Sequence, residues 1–312
     1  MKLLVLLNDR ARDGGSEAVR EQLAQTFFRH DVRVESPSTI EAAQALLRAA
    51  VDVDVAVVAG GDGTVNVALQ ALGGGRVPLG ILAVGTANDL ADELDLPRDL
   101  AHACEVIKLK RIKELDVIAV GPAGGPADSA RLFISSGGTG LAADVVVDSN
   151  RFKSSVARIP GVRDVVRSLG KELYQLFLIK EFVFPSEQVR KLRLQWDGGG
   201  RDVETALVMI NNQPLVGGSF RIAPKTKNDD GRFCVSVFLD TDGAGLAMTT
   251  ALIRQGRLPG PESILQLETS KLTIESADGK PVRFFGDGEL LADTDATLEV
   301  AIRPRAARII VP

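Results

Sequence analysis

Val53-Asp54-Val55-Ala56-Val57-Val58-Ala59-Gly60-Gly61-Asp62-Gly63-Thr64-Val65-Asn66-Val67-Ala68-Leu69-Gln70-Ala71-Leu72 decides the fold. Val53–Ala59 reads as a buried strand and Thr64–Leu72 as a helix. A strand that turns at glycines into a helix is the repeating unit of a mostly parallel sheet with helices on its faces. Gly60, Gly61 and Gly63 let backbone N–H groups approach a phosphate closely, and the helix dipole behind them favours an anion. Thr64 adds a hydroxyl donor. Asp62 is negative and does not itself bind phosphate. Its uses are with a cation, as a Mg²⁺ partner, or as a base for an attacking hydroxyl. The plainer alternative is a βα turn whose Asp caps the helix.

Downstream the layout repeats. Pro78–Val84 is a second buried strand, followed by Gly85-Thr86 and a short helix from Ala87 to Leu94 that contains Asn88-Asp89. Two neighbouring strand ends then offer two phosphate-friendly turns, each followed by an acid. Asp89 is otherwise a first-turn acid favoured by the helix dipole. Upstream, Lys2–Leu7 is an apolar strand, and Ser16 caps a helix carrying Val19, Leu23 and Phe27 at helical spacing. Asp31–Glu35 is a strand and Glu41–Ala50 an Ala/Leu-rich helix. Ligands of such sheets sit beyond the carboxyl ends of the strands, where both glycine turns lie. No Gly-x4-Gly-Lys-Ser/Thr run and no protein-kinase signature set is present.

After about Asp116 the pattern changes. Arg131–Ser135 reads as a strand, Gly137–Gly140 as a turn, and Leu141–Ser149 and Ser154–Phe177 as helical. Arg190–Trp196 alternates strictly, and Gly198-Gly199-Gly200 makes a hairpin turn into Val203–Ile210. Strands are expected again at Arg232–Leu239, Lys271–Glu275, Val282–Phe285, Ala296–Ile302 and Ile309–Val311. This half reads as an antiparallel sheet or sandwich. The basic amphipathic stretch Arg151–Lys180 reads first as a surface helix covering that sandwich, and second as a contact for anionic membrane.

Composition narrows the classes. The 312 residues suffice for two domains, and 45% hydrophobic with 25% charged residues is ordinary for a folded soluble chain. A net charge of −4 gives no electrostatic case for nucleic-acid binding. Cys104 and Cys234 lack metal-ligand spacing and read as small core residues. Met1–Leu7 is too short and too poor in basic residues for a signal peptide, and no run is long enough to span a bilayer. A cytoplasmic enzyme is the default expectation.

At this point the chain resembles a known family. Gly60–Asn66 and Leu79–Leu90 are similar to the two nucleotide-binding motifs of the diacylglycerol kinase catalytic domain, a group that includes bacterial lipid kinases and sphingosine kinases. Asp116, Asn211-Asn212, Gly217-Gly218, Pro224, Asp229-Asp230-Gly231 and Phe285-Gly286-Asp287-Gly288-Glu289 follow in the family's order. The resemblance implies ATP phosphates at Gly60, Gly61, Asp62, Gly63, Thr64, Val65, Asn66, Gly85, Thr86 and Asn88, with Asn8 and Ser36 near the nucleotide. It implies Asp287 as proton acceptor for the lipid hydroxyl, assisted by Glu289. It implies one Mg²⁺ at Asp230 or Asp229 with backbone carbonyls of Phe233 and Val235, and a second, catalytic Mg²⁺ in a network of Asp62, Asp89 and Asp116. The family's Asn-Pro turn after the first strand is replaced here by Asn8-Asp9-Arg10-Ala11-Arg12, so Arg10 and Arg12 either reach a phosphate or are solvated.

The expected architecture is a Rossmann-like α/β nucleotide-binding domain, residues 1–118 with 294–312 returning to it, plus a mainly antiparallel β-sandwich lipid-substrate domain, 119–293. The expected activity is transfer of the γ-phosphoryl group of ATP, with Mg²⁺, to a lipid hydroxyl, diacylglycerol or a related glycerolipid. The lipid lies at a membrane surface, so peripheral contact at the inner face is compatible with a cytoplasmic chain, and a homodimer stays open. An NAD kinase-like phosphotransferase shares Gly-Gly-Asp-Gly-Thr but not the Gly85–Asp89 and Asp287–Glu289 motifs. A non-catalytic nucleotide- or lipid-binding protein would have no need of Asp62, Asp287 and Glu289 together.

Overall fold

The computed structural model describes residues 1–8, 15–85, 88–147, 189–216 and 220–312. Arg10, Arg12, Thr86, Gly217-Gly218 and the stretch Arg151–Lys180 lie outside the described residues.

The first part alternates strand and helix. It runs β1 (Lys2–Leu7), α1 (Gly15–Thr26), β2 (Asp31–Glu35), α2 (Ile40–Ala49), β3 (Val55–Gly60), α3 (Asp62–Leu72) and β4 (Leu79–Ala83). α4 (Asp89–Glu93) and α5 (Leu100–Leu109) follow. β2, β1, β3 and β4 pair in parallel in that spatial order. Every residue of β3 is buried, as a strand covered on both faces requires. One face packs Leu4, Leu6, Ala56 and Val58 against Leu47, Ala68 and Leu69 of α2 and α3. The other packs Leu3, Val5, Val55 and Val57 against Val19 and Leu23 of α1, Phe27 just after it, and Ile107 of α5.

The sheet does not stop there. β16 (Leu298–Ile310) pairs in parallel with β4 through Ile309 and Leu79, and antiparallel with β5 (Ile112–Pro122) and β13 (Lys271–Ser276). β8 (Arg190–Trp196) and β9 (Gly199–Thr205) continue it as an antiparallel hairpin, and β6 (Arg131–Phe133) pairs with β5, giving ten strands in all. A second, six-stranded antiparallel sheet runs β12 (Ile264–Thr269), β11 (Phe233–Phe238), β10 (Leu207–Asn211), β7 (Ser136–Gly140), β14 (Val282–Gly286) and β15 (Glu289–Thr294). Leu194, Leu272, Ile274 and Val300 from the first sheet meet Val208, Ile210, Val235 and Phe284 from the second, forming the sandwich core. A mostly parallel α/β part and an antiparallel sandwich part are therefore both present.

Several expected elements change. Gly137–Gly140, read as a turn, lies inside β7, paired on both sides. The glycines let three strands close up: a Cβ on Gly138 would collide with the Val208 carbonyl, and Gly138 itself sits at φ 156°. Val203–Ile210 divides into β9 and β10 at Ala206. Ala296–Ile302 and Ile309–Val311 are one strand, β16, with an irregularity between Arg303 and Ala307. β12, β15 and the helix Gly243–Arg254 were not anticipated. Among the described residues no helix is long and apolar enough to cross a membrane.

Candidate active site

The two glycine corners touch. The carbonyl of Gly60 accepts from the N–H groups of Val84 (3.1 Å) and Gly85 (3.2 Å), joining the ends of β3 and β4. Gly85 lies directly on Gly61: a Cβ there would collide with the Gly61 backbone. Gly60 is likewise too close to the Thr64 side chain to carry one. Gly61 is the N-cap of α3 and supplies no side chain to cap it, while the Thr64 and Val65 N–H groups bond its carbonyl. Asn8, at the end of β1, donates from its backbone to Ala59 O (3.0 Å) and from Nδ2 to Thr64 Oγ1 (3.1 Å). Val65 is buried and donates to Gly61 O (3.1 Å). Ser36, at the end of neighbouring β2, accepts from Arg20 of α1 at 3.0 Å. This collection of small residues and a helix start without a side-chain cap, at the carboxyl edge of parallel strands, fits a polyphosphate.

Asp62 opens α3, yet its carboxylate turns to α4. Oδ2 accepts from the Asn88 N–H at 2.8 Å, and the amides of Asp89 and Leu90 bond it as well. Burial pushes the Asp62 carboxyl above its usual range, against the pull of those amides. Asn88 holds the left-handed conformation, φ 57°, and its Nδ2 donates to Gly85 O at 2.8 Å. Asp62 and Asn88 thus lock the second corner onto the first.

The late acidic loop folds back onto this pair of corners. β14 and β15 are joined by Asp287-Gly288, and the carboxylate of Asp287 points inward. Oδ2 accepts from Ile134 N–H (2.9 Å) and Asn66 Nδ2 (3.1 Å); Oδ1 accepts from Ser135 N–H (2.9 Å) and Ser136 N–H (3.4 Å). Burial raises the Asp287 carboxyl above the usual carboxylate range, and the four donors oppose that shift. Glu289 reaches the start of α3, its Oε1 lying 3.9 Å from where a Cβ on Gly63 would stand. A carboxyl with a raised pKa, fixed beside a phosphate-friendly corner, is the equipment of a general base for phosphoryl transfer.

Asn66 was expected at phosphate; the structure gives it to Asp287 and to Leu132 O (3.2 Å). Gln70, one helical turn later, brackets Leu132 with Nε2 to its carbonyl (2.5 Å) and Oε1 to its N–H (3.0 Å). Sequence reasoning passed over Gln70 and over the amides of Ile134–Ser136. The available signal was two amides four residues apart on an otherwise apolar helix.

Among the described residues the expected metal residues form no cluster of three acidic side chains. Asp116 is fully buried, with Oδ1 accepting from Arg305 N–H (2.8 Å) and Oδ2 from Gly231 N–H (2.6 Å). It thereby joins the Asp229-Asp230-Gly231 turn, while Asp62 turns to the Asn88 amide. Asp229 stands 4.0 Å from Lys113, and Asp230 accepts from Arg232 N–H at 3.1 Å. Val235 lies between Ile210 and Leu267, where the ladder of an interior strand uses its carbonyl, and Phe233 pairs with Thr269. Among the described residues no three His, Cys, Asp or Glu side chains are placed to share an ion.

The Diacylglycerol kinase catalytic domain matches residues 2–120, and the YegS C-terminal NAD kinase beta sandwich-like domain matches residues 161–311. A diacylglycerol kinase of Bacillus subtilis (strain 168) is 23% identical over 286 residues, 88% of this chain and 86% of its own length. A diacylglycerol kinase of Staphylococcus haemolyticus (strain JCSC1435) is 26% identical over 246 residues, which are 78% of this chain but 66% of that protein. A crystal structure of a diacylglycerol kinase from Bacillus anthracis str. Sterne has the same fold, with a TM-score of 0.70 at 20% identity over 100% of this chain and 97% of that one. With both matches in chain order, and with the glycine corners and the Asp287 loop brought to one place, the chain belongs to the diacylglycerol kinase catalytic-domain family.

Proposed function

We propose that this protein is an ATP-dependent lipid kinase that moves the γ-phosphoryl group onto the free hydroxyl of a glycerolipid, diacylglycerol or a close relative. One observation carries the reading: the Asp287 carboxylate is held by Asn66, a residue of the helix that begins at the glycine corner. A proton acceptor and a phosphate-binding helix end are thereby mechanically joined.

The triphosphate lies along Gly60–Thr64 and Gly85, at the start of α3, whose N-cap Gly61 has no side chain. Asp287 takes the proton of the lipid hydroxyl as its oxygen attacks the γ-phosphorus, and ADP leaves. Glu289, beside Gly63, orients the Asp287 loop on the helix start. Mg²⁺ enters this reading with the triphosphate, whose charge it screens.

The test is phosphate transfer from radiolabelled ATP in mixed micelles to diacylglycerol, phosphatidylglycerol, a sphingoid base and undecaprenol, with NAD as a soluble competitor substrate. Labelled glycerolipid is the expected product. Label appearing in NADP and in no lipid would replace the reading with the NAD kinase-like one, and no labelled product at all would leave a binding protein.

A further inference from the structure

The end of β10 carries polar atoms with nothing in the described structure to bond. Asn211 is fully buried, and neither its Nδ2 nor its Oδ1 has a hydrogen-bond partner. Asn212 Oδ1 and Gln213 Oε1 are in the same state, although Asn212 Nδ2 serves the carbonyls of Asp116 and Ile134, both at 2.9 Å. An unsatisfied buried donor or acceptor is destabilising, and folded proteins tolerate few. An amide with both ends empty, closing a strand of Leu207, Val208, Met209 and Ile210, calls for a partner beyond the described residues.

Position says what kind of partner. β14, β7 and β10 are neighbours in the second sheet. Ser136, the first residue of β7, pairs directly with Asn211, so the two side chains share one face. Ser136 is also the residue that holds Asp287: its N–H meets Asp287 Oδ1 at 3.4 Å and its carbonyl accepts from the Asp287 N–H at 2.8 Å. Strands lie about 4.8 Å apart, which sets the Asn211 and Asp287 backbones on the order of 10 Å apart. Ser136, between the two, is only half-buried.

We propose that Asn211 reads the head of the acceptor lipid. Nδ2 donates to an ester carbonyl, and Oδ1 accepts from a hydroxyl or water that accompanies it, while the reacting hydroxyl lies at Asp287. The inference rests on the lipid kinase reading and narrows it. The favoured acceptor carries an ester carbonyl within one glycerol length of its free hydroxyl, which a polyprenol or a dialkyl ether does not. A carboxylate at this position would offer acceptors alone and an aliphatic side chain neither kind of group.

The test is calorimetric binding of dioctanoylglycerol and of its dioctyl ether analogue, in one detergent, to the wild type, Asn211→Leu and Asn211→Asp. The wild type is expected to bind the ester about tenfold more tightly, and both variants to bring that ratio to about one. Asn211→Leu is also expected to unfold at the same or a higher temperature, since an apolar group of similar shape relieves an orphaned amide. A wild type indifferent to ester against ether, variants that keep the ratio, or an Asn211→Leu protein that unfolds early would each overturn the proposal. Turnover with ATP is scored separately. If neither lipid is phosphorylated, the kinase reading falls, while the binding ratio still decides the role of Asn211.

Discussion

Asp287 sits in the left-handed region at φ 49°, and Gly288 follows at φ 82°. A two-residue loop with both φ values positive is the geometry of a type I′ hairpin turn, which Asp-Gly reaches at little cost. Turn chemistry therefore selects the residue, and the four donors around its carboxylate then turn it inward for use. Because burial raises its pKa, the ionised form needed for proton acceptance is lost on acidification earlier than for an ordinary aspartate. The acidic limb of the kcat/KM profile is expected above the ordinary carboxylate range, and Asp287→Asn should lower turnover by roughly 10²–10⁴-fold with ATP binding retained. A steady-state pH series with an equilibrium nucleotide titration checks both. For stability the sign is the reverse. A carboxyl whose folded pKa is raised contributes fully below its unfolded pKa, and that contribution disappears as pH rises through the folded value. The same holds for Asp62.

At the scale of the element, β7 shows how far pattern reading goes. Its glycines look like a turn because glycine is the commonest turn residue. Here they serve close approach between β10 and β14. Gly138→Ala is expected to cost about 1–3 kcal/mol in a urea melt, by overpacking against Val208 O. It should also lower lipid turnover, since Ser136 heads the same strand. β3, α3 and β4 were legible because a strand buried on both faces is one apolar run, and glycines mark its end. β16 was read as two strands because Pro304 and Arg305 interrupt it at the irregularity. β15 was missed because Glu289–Thr294 does not alternate, with Leu290, Leu291 and Ala292 flanked by polar residues, and is partly exposed. The individual site residues were legible as motifs. Their grouping was not: Asn66 and Asp287 lie 221 positions apart, and no local pattern encodes that contact.

For the whole molecule, Asp116 is the tie. From β5 it fastens the Arg305 backbone in β16 and the Gly231 turn ahead of β11, so one carboxylate joins both sheets. Asp116→Ala is expected to lower stability by ~2–3 kcal/mol, because two amides lose a charged acceptor. If the residue is structural, the Mg²⁺ concentration giving half-maximal turnover stays where it is in the wild type. A large rise in that concentration would return Asp116 to metal binding. Denaturant melts and a Mg²⁺ titration of the same preparation separate the two outcomes.

The pairing of β4 with β16 joins Leu79 to Ile309, across most of the chain. On the ribosome, the α/β half emerges long before the strand that seals its open edge. Until then β4 presents unpaired backbone to anything extended nearby, including a second nascent copy. Contacts this distant in sequence also slow folding. A protein built this way has reason to depend on chaperones that shield an unfinished sheet while translation runs on.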